Sequence, residues 1–213
     1  ADVGAHTITV TCTDDGTGTL SASDQYVLTV TNTNDAGSGL SLASDGDVAD
    51  PDEDDTLSVT GTLVDDDGCT GSTCALTYAW STGATSSTIT LGQSDVGDTI
   101  SVTLTYTDDL SSSNTITLTA ASDVDNVNDA PTVASAISDV STAEDAAYSL
   151  DASGTCTDVD GDTVSYTISG APSTITATTA GVISGTPVNA NVGAHTITVT
   201  CSDGTLSATD AYI

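Results

Sequence analysis

The chain has 213 residues, 31 of them Asp or Glu and none Lys or Arg, for a formal net charge of −31, and its length is room for about two domains. With no cationic side chain apart from two histidines, it cannot neutralise phosphates, which excludes nucleic acid and anionic lipid as partners. Its carboxylates must instead be relieved by protons, by salt or by bound cations, of which calcium is the most economical.

The first element is Val3–Cys12, where His6, Ile8, Val10 and Cys12 alternate with threonines. That period of two is a half-buried strand, and it rejects the disorder that a content of about one-third Ser and Thr would otherwise suggest. The same ten residues return unchanged as Val192–Cys201, and from His6 to His195 the period is 189 residues. The likeness continues through 19–24 and 205–210, so residues 1–34 read as the last strands of one module, and the sequence closes at the same late point of another.

A polar junction, Asn32-Thr33-Asn34-Asp35-Ala36, leads into residues 35–127, one complete module. Alternating apolar positions mark its short strands: Leu57, Val59 and Leu63; Leu76, Tyr78 and Trp80; Ile89 and Leu91; Ile100, Val102, Leu104 and Tyr106; Ile116 and Leu118. Strands at this spacing with Gly, Asp and Ser turns make a β-sandwich, with Trp80 at its centre. After the acid turn Asp65-Asp66-Asp67-Gly68, Cys69 and Cys74 flank a loop short enough to be closed by its own disulfide.

A second junction, Asn126-Val127-Asn128-Asp129-Ala130-Pro131, opens residues 128–213, most of a third module. Glu144–Leu150 parallels Glu53–Val59, and the acid turn Asp158–Asp162 parallels Asp65–Gly68. Cys156 follows the strand Tyr148–Leu150, Cys201 ends the inward face of Ile197 and Val199, and the register predicts a Cys156–Cys201 disulfide. Cys12, the counterpart of Cys201, is left over. The chain has no Cys-x-x-Cys pair for a zinc site, so disulfides are favoured over free thiols, and with them an extracellular location. Neither a helical spacing nor an apolar run long enough to cross a bilayer occurs in the sequence.

From the Asn-Val-Asn-Asp-Ala-Pro junction through Asp158–Tyr166, Gly181–Pro187 and Cys201–Gly204, the third module resembles the cadherin-like (dystroglycan-type) repeats of giant bacterial and archaeal surface proteins, a likeness that also covers 1–34. The middle module, with Leu63–Gly68, Leu76–Trp80 and Ser94–Ile100, is similar to the Ig-like repeats that alternate with them in large adhesins. The resemblance implies an all-β chain without helices, a rod of tandem β-sandwich modules with calcium at the junctions, serving cell-surface adhesion or assembly. Calcium takes six to eight oxygens at flexible geometry. Carried over position by position, the ligands would be Asn126, Asn128 and Asp129 with Asp158, Asp160 and Asp203; Asp162, Asp65, Asp67 and Glu144 complete the candidate set. The turn is no EF-hand, because Thr163 and Ser169 stand where that loop needs Gly and Glu.

No catalytic residue is expected. His6 and His195 share the inward phase of their strands, with no Ser or Cys nucleophile beside them, and carboxylate pairs among so many acids carry no specificity. An isopeptide cross-link is excluded by the lack of lysine. The expected role is a non-enzymatic, calcium-stiffened, extracellular rod or filament component at the cell surface. Its partners would be other surface proteins, further copies of the chain, or glycans. The alternatives are direct binding of a glycan or protein through Ser81–Ser87 or the Cys69–Cys74 loop, and service as accessory modules of a large secreted hydrolase. A segment like Val27–Asn32 after Ile213 would mark a longer array.

Overall fold

The computed structural model describes residues 3–18, 20–69 and 74–213. Thr19 of the repeated segment and Thr70–Thr73 of the predicted disulfide loop lie outside the described residues. The chain is all-β: sixteen strands and two single 3₁₀ turns, Gln93–Asp95 and Asn189–Asn191, with no α-helix among the described residues. Among them no helix is long and apolar enough to cross a membrane. Contacts divide the chain into two units.

The first unit comprises 1–50, 56–90 and 99–122. Strands β1 (Gly4–Thr13) and β2 (Ser21–Val30) form an antiparallel hairpin pairing Gly4 with Val30, Ile8 with Tyr26 and Cys12 with Ala22. Its apolar residues are largely open: Tyr26 is 54% exposed and Cys12 is a free, exposed thiol. Strands β3 (Ser38–Ser44), β4 (Thr56–Val64) and β6 (Thr88–Thr90) make one sheet, and β5 (Thr77–Trp80), β7 (Thr99–Thr107) and β8 (Ser113–Asp123, its last residue belonging to the second unit) make another. Alternation sorts the side chains as expected: Ile100, Val102, Leu104 and Tyr106 of β7 are buried, while the threonines between them face outward. Trp80, opposite Val102, is buried, and its Nε1 donates to the Ser86 carbonyl at 2.8 Å. That bond ties down the turn that carries 81–87. The Cys69–Cys74 bridge forms, with Cα atoms 5.6 Å apart.

The second unit comprises 51–55, 91–98 and 123–213. The sequence division at 127/128 differs from this one, because Pro51–Asp55 and Leu91–Asp98 cluster with the later residues. The reason is a run of backbone hydrogen bonds along the linker. Asp125 N–H donates to Pro51 O (2.9 Å), Glu53 N–H to Asp125 O (2.8 Å), Gly97 N–H to Val124 O (2.9 Å) and Val124 N–H to Asp98 O (3.1 Å). Beyond the linker come β9 (Thr132–Val133), β10 (Tyr148–Asp151), β11 (Cys156–Thr157), β12 (Ser165–Ser169), β13 (Ile175–Ala177), β14 (Val182–Gly185), β15 (Ile197–Ser202) and β16 (Ser207–Tyr212). The sheets are β10-β14-β13, β12-β15-β16 and the small pair β11-β9. Ile175 and Ile183 of one three-stranded sheet share a core with Tyr166, Val199, Cys201 and Tyr212 of the other. The Cys156–Cys201 bridge joins β11 to β15 inside that core.

Candidate metal centres

In the second unit the turn Asp52–Asp55, closed by Asp55 N–H donating to Asp52 O at 3.2 Å, carries Asp54 at φ 69° and presents Glu53. Glu53 is only 5% exposed, and one carboxylate oxygen each from Glu53, Asp129 and Asp160 lies within 4.8 Å of the others. Burial pushes the Glu53 carboxyl above its ordinary range; the charges of Asp129, Asp54 and Asp160 push the same way, against a hydrogen bond from the Val127 backbone. Asp160 also belongs to a second group with Asp158 and Asp162 under the same distance limit.

The acid turn orders itself through its own backbone. Asp160 N–H donates to Asp158 Oδ1 (3.0 Å), Asp162 N–H to the same oxygen (3.3 Å) and Asp129 N–H to Asp160 Oδ2 (2.7 Å). Asn128 Nδ2 reaches Asp203 Oδ2 at 3.0 Å. That amide, then the Thr205 and Leu206 N–H groups, hold the Asp203 carboxyl below the usual carboxylate range. Asp158 Oδ2 is buried and has no hydrogen-bond partner. An orphaned carboxylate oxygen costs free energy in a dry site unless a cation meets it.

The Gln93 side-chain amide completes the wall. One of its terminal atoms lies 2.8 Å from Asp160 Oδ1 and 3.2 Å from Glu53 Oε2, and the amide contacts Asn126 Oδ1 at 3.1 Å. With its nitrogen turned to the carboxylates it donates to both. Turned the other way, its carbonyl adds a third oxygen to theirs, the arrangement a cation favours. The residues therefore fit a calcium ion: carboxylates from Glu53, Asp129 and Asp160, with Asp158 and Asp162 grouped in turn with Asp160, and amide oxygens close by. When bound there, calcium would supply charge neutralisation and a tie between the linker and the turns that carry the acids.

The first unit holds a related group. Asp65, Asp67 and Asp108 bring carboxylate oxygens within 4.8 Å of one another, with Asp65 and Asp108 buried. Asp35 N–H donates to Asp67 Oδ2 (2.8 Å) and Asp67 N–H to Asp65 Oδ1 (2.9 Å), repeating the Asp129–Asp160–Asp158 pattern. Asn34 reaches Asn114 at 2.7 Å, and Asn114 reaches Asp108 Oδ2 at 3.0 Å. The difference is Tyr106, whose hydroxyl donates to Asp65 Oδ2 at 2.6 Å and accepts from Gly37 N–H at 2.8 Å. Burial, then the Asp65 bond, pushes the Tyr106 phenol up to about 12.

Of the sequence candidates, Asp158, Asp160 and Asp162 come together, Asp129 joins Asp160 in the neighbouring group, Asn126 contacts Gln93 and Asn128 contacts Asp203, and Asp65 and Asp67 converge in the other unit. Glu144 is exposed and belongs to none of these groups among the described residues. Sequence reasoning missed Glu53, Gln93 and Asp108. The signal for Glu53 was its match to Glu144: Asp145 also has positive φ (61°), and its N–H donates to Pro187 O as that of Asp54 does to Leu91 O. The Glu before the linker faces this site, not the one after it.

The family model He_PIG, described as "Putative Ig domain", matches residues 130–213. No curated protein matches the chain in sequence. Solved structures similar to it include mouse cadherin-23 EC22–24 (14% identity, 99% of this chain and 74% of that one, TM-score 0.42). Others are an endo-fucoidan hydrolase of glycoside hydrolase family 107 (21%, 100% and 34%, TM-score 0.33) and the human desmocollin-1 ectodomain (10%, 98% and 46%, TM-score 0.41). The chain thus spans about a third of the hydrolase and under half of the desmocollin ectodomain.

Proposed function

We propose that the chain is part of a non-enzymatic extracellular repeat array of the adhesion type, in which calcium bound at Glu53, Asp129, Asp158 and Asp160 stiffens the linker Asp123–Asp129. The observation that carries this reading is the buried, unpartnered Asp158 Oδ2 in a group with Asp160 and Asp162, Asp160 being shared with the Glu53–Asp129 group, on a chain with no Lys or Arg to pair with it. Two disulfides support the extracellular setting, and the Ig-domain match over 130–213 supports a module of a surface protein. Adhesion partners in this reading are other surface proteins, further copies of the chain, or glycans.

Calorimetric titration of the chelated protein with calcium tests it. The expected result is saturable binding and a rise of several degrees in the melting temperature of the second unit, since ligand at a hundredfold over Kd adds about 2.7 kcal/mol. Asp158→Asn should abolish most of that gain while raising the calcium-free melting temperature, because it removes an unpaired buried charge. A wild-type protein that neither binds calcium nor melts higher in it would refute the reading.

A further inference from the structure

The backbone fixes Gln93 from both sides and leaves only its side-chain amide to turn. Gln93 opens the 3₁₀ turn Gln93–Asp95, which Asp95 holds shut: its N–H donates to Gly92 O (2.8 Å) and its Oδ2 accepts from Gly92 N–H (3.0 Å). Upstream, Leu91 N–H donates to Asp55 O (2.9 Å) and Leu91 O accepts from Asp54 N–H (3.2 Å), which ties this turn to the one that presents Glu53. Downstream, Val96 bridges Val124, Gly97 N–H donates to Val124 O (2.9 Å) and Asp98 O accepts from Val124 N–H (3.1 Å), which ties it to the linker. The half-buried Gln93 side chain therefore stands between Glu53 and Asp160 on one side and Asn126 on the other. Reversing its terminal amide costs little, because that torsion is broad and nearly two-fold.

With Gln93 Nε2 donating to Asn126 Oδ1 (3.1 Å), Gln93 Oε1 lies 2.8 Å from Asp160 Oδ1 and 3.2 Å from Glu53 Oε2. A proton on Glu53 bridges at most the longer of these two contacts, and the shorter one sets two acceptors together with no hydrogen between them. Such an oxygen-only set is what a hard divalent cation collects. A second observation points the same way: Asp158 Oδ2, in the group that shares Asp160, is buried without a partner. Reversed, the Gln93 amide presents its two N–H donors to Asp160 Oδ1 and Glu53 Oε2 at the same distances. Its oxygen then faces the Asn126 amide, which satisfies it by turning as well and offering Nδ2. One residue thus suits the site with and without an ion.

We propose that Gln93 and Asn126 form a coupled amide pair that answers to the ion. Without it, the Gln93 amide nitrogen stands between Asp160 and Glu53 in the place of a cation; with it, both amides are reversed, Gln93 Oε1 joins the ligands and Nε2 donates to Asn126 Oδ1. The proposal rests on the calcium reading above and adds to it a neutral ligand from Leu91–Asp98 that relieves the carboxylates when no ion is bound. A carboxylate at position 93 has no donor for that task, and an apolar side chain has no oxygen for the other.

The test is a calcium titration of the chelated full chain, isotope-labelled so that the side-chain amide signals of Gln93 and Asn126 are followed by NMR. The two signals should move together and saturate along the calorimetric binding curve. Gln93→Glu, which keeps an oxygen and loses the donors, should melt lower than the wild type in chelator and gain more from calcium. Gln93→Met, which loses both, should also melt lower in chelator, and should bind calcium about tenfold or more weakly. Three outcomes would each overturn the proposal and leave the calcium reading standing: calcium binding with both amide signals unmoved, a Gln93→Glu chain that melts in chelator as the wild type does, or wild-type calcium affinity in Gln93→Met. A wild-type chain that binds no calcium would overturn both.

Discussion

Two carboxylates in equivalent turns, Asp65 and Asp158, meet different fates because of one position. Tyr106 precedes Asp108 by two residues, as Cys201 precedes Asp203. The tyrosine hydroxyl satisfies Asp65 Oδ2, whereas the cysteine is committed to the disulfide and Asp158 Oδ2 has no partner. Glu53 adds a proton to this contrast. Its carboxyl is raised in the folded chain, chiefly by burial, so the native state binds that proton more tightly than the unfolded state. The stability linked to it is present below the unfolded value and lost as pH rises through the raised one. Calcium has to displace the same proton. Calcium affinity should therefore climb as pH rises through the raised value, and in chelator the melting temperature of the second unit should fall over the same window. Glu53→Gln should flatten both profiles and weaken binding. A Glu53→Gln protein with the wild-type pH slope would show that Glu53 is not the titrating ligand.

The strands were legible because alternation is a local property. Ile197, Val199 and Cys201 face inward and their threonine neighbours outward by the pleat alone, and the same rule located the Cys156–Cys201 disulfide, whereas the shortness of the loop located Cys69–Cys74. What alternation could not show is which module's Glu turns toward a linker. Glu53 and Asp129 are 76 positions apart, with no period to betray their pairing, and the capture of Pro51–Asp55 and Leu91–Asp98 by the second unit rests on backbone bonds that any sequence could make. The register shift between Ser38 and Leu40 was equally silent; it puts Gly61 at φ +102° with its absent Cβ 2.2 Å from the Gly39 carbonyl, a bulge only glycine tolerates. The two bridges also differ in what they constrain. Cys156 and Cys201 are 45 residues apart and Cys69 and Cys74 only 5, so loop entropy assigns them about 4 and about 2 kcal/mol. The single tryptophan, Trp80, lies in the first unit, so its fluorescence follows that unit alone while calorimetry sees both. Replacing Cys156 and Cys201 together by serine should lower the calorimetric transition of the second unit and leave the Trp80 transition in place. A parallel drop in both would mean that the units melt as one.

Across the whole molecule the acids gather in turns and linkers while the outward strand positions are mainly Ser and Thr, as in the rows Thr167-Thr200-Thr209 and Ser165-Ser202-Ser207. Repulsion among 31 carboxylates is therefore concentrated at a few points, the clusters around Asp160 and Asp67 above all. Monovalent salt screens every charge pair over a Debye length of about 10 Å at 0.1 M, exposed pairs far more than buried ones. Calcium bound as proposed would instead meet the buried pairs directly, and it accepts the irregular oxygen sets that flexible turns offer, whereas magnesium demands near-octahedral geometry and keeps its waters. These differences order the three ions. At equal ionic strength, calcium should raise the melting temperature of the second unit most and saturably, magnesium less, and sodium gradually without a plateau. The first unit, where Tyr106 already neutralises part of the Asp65 demand, should respond less to calcium than the second when followed by Trp80 fluorescence. Sodium that reproduced the calcium effect at matched ionic strength would reduce the acid clusters to solvated turns, because simple screening, and no ligation, would then account for the stability of the calcium-loaded chain.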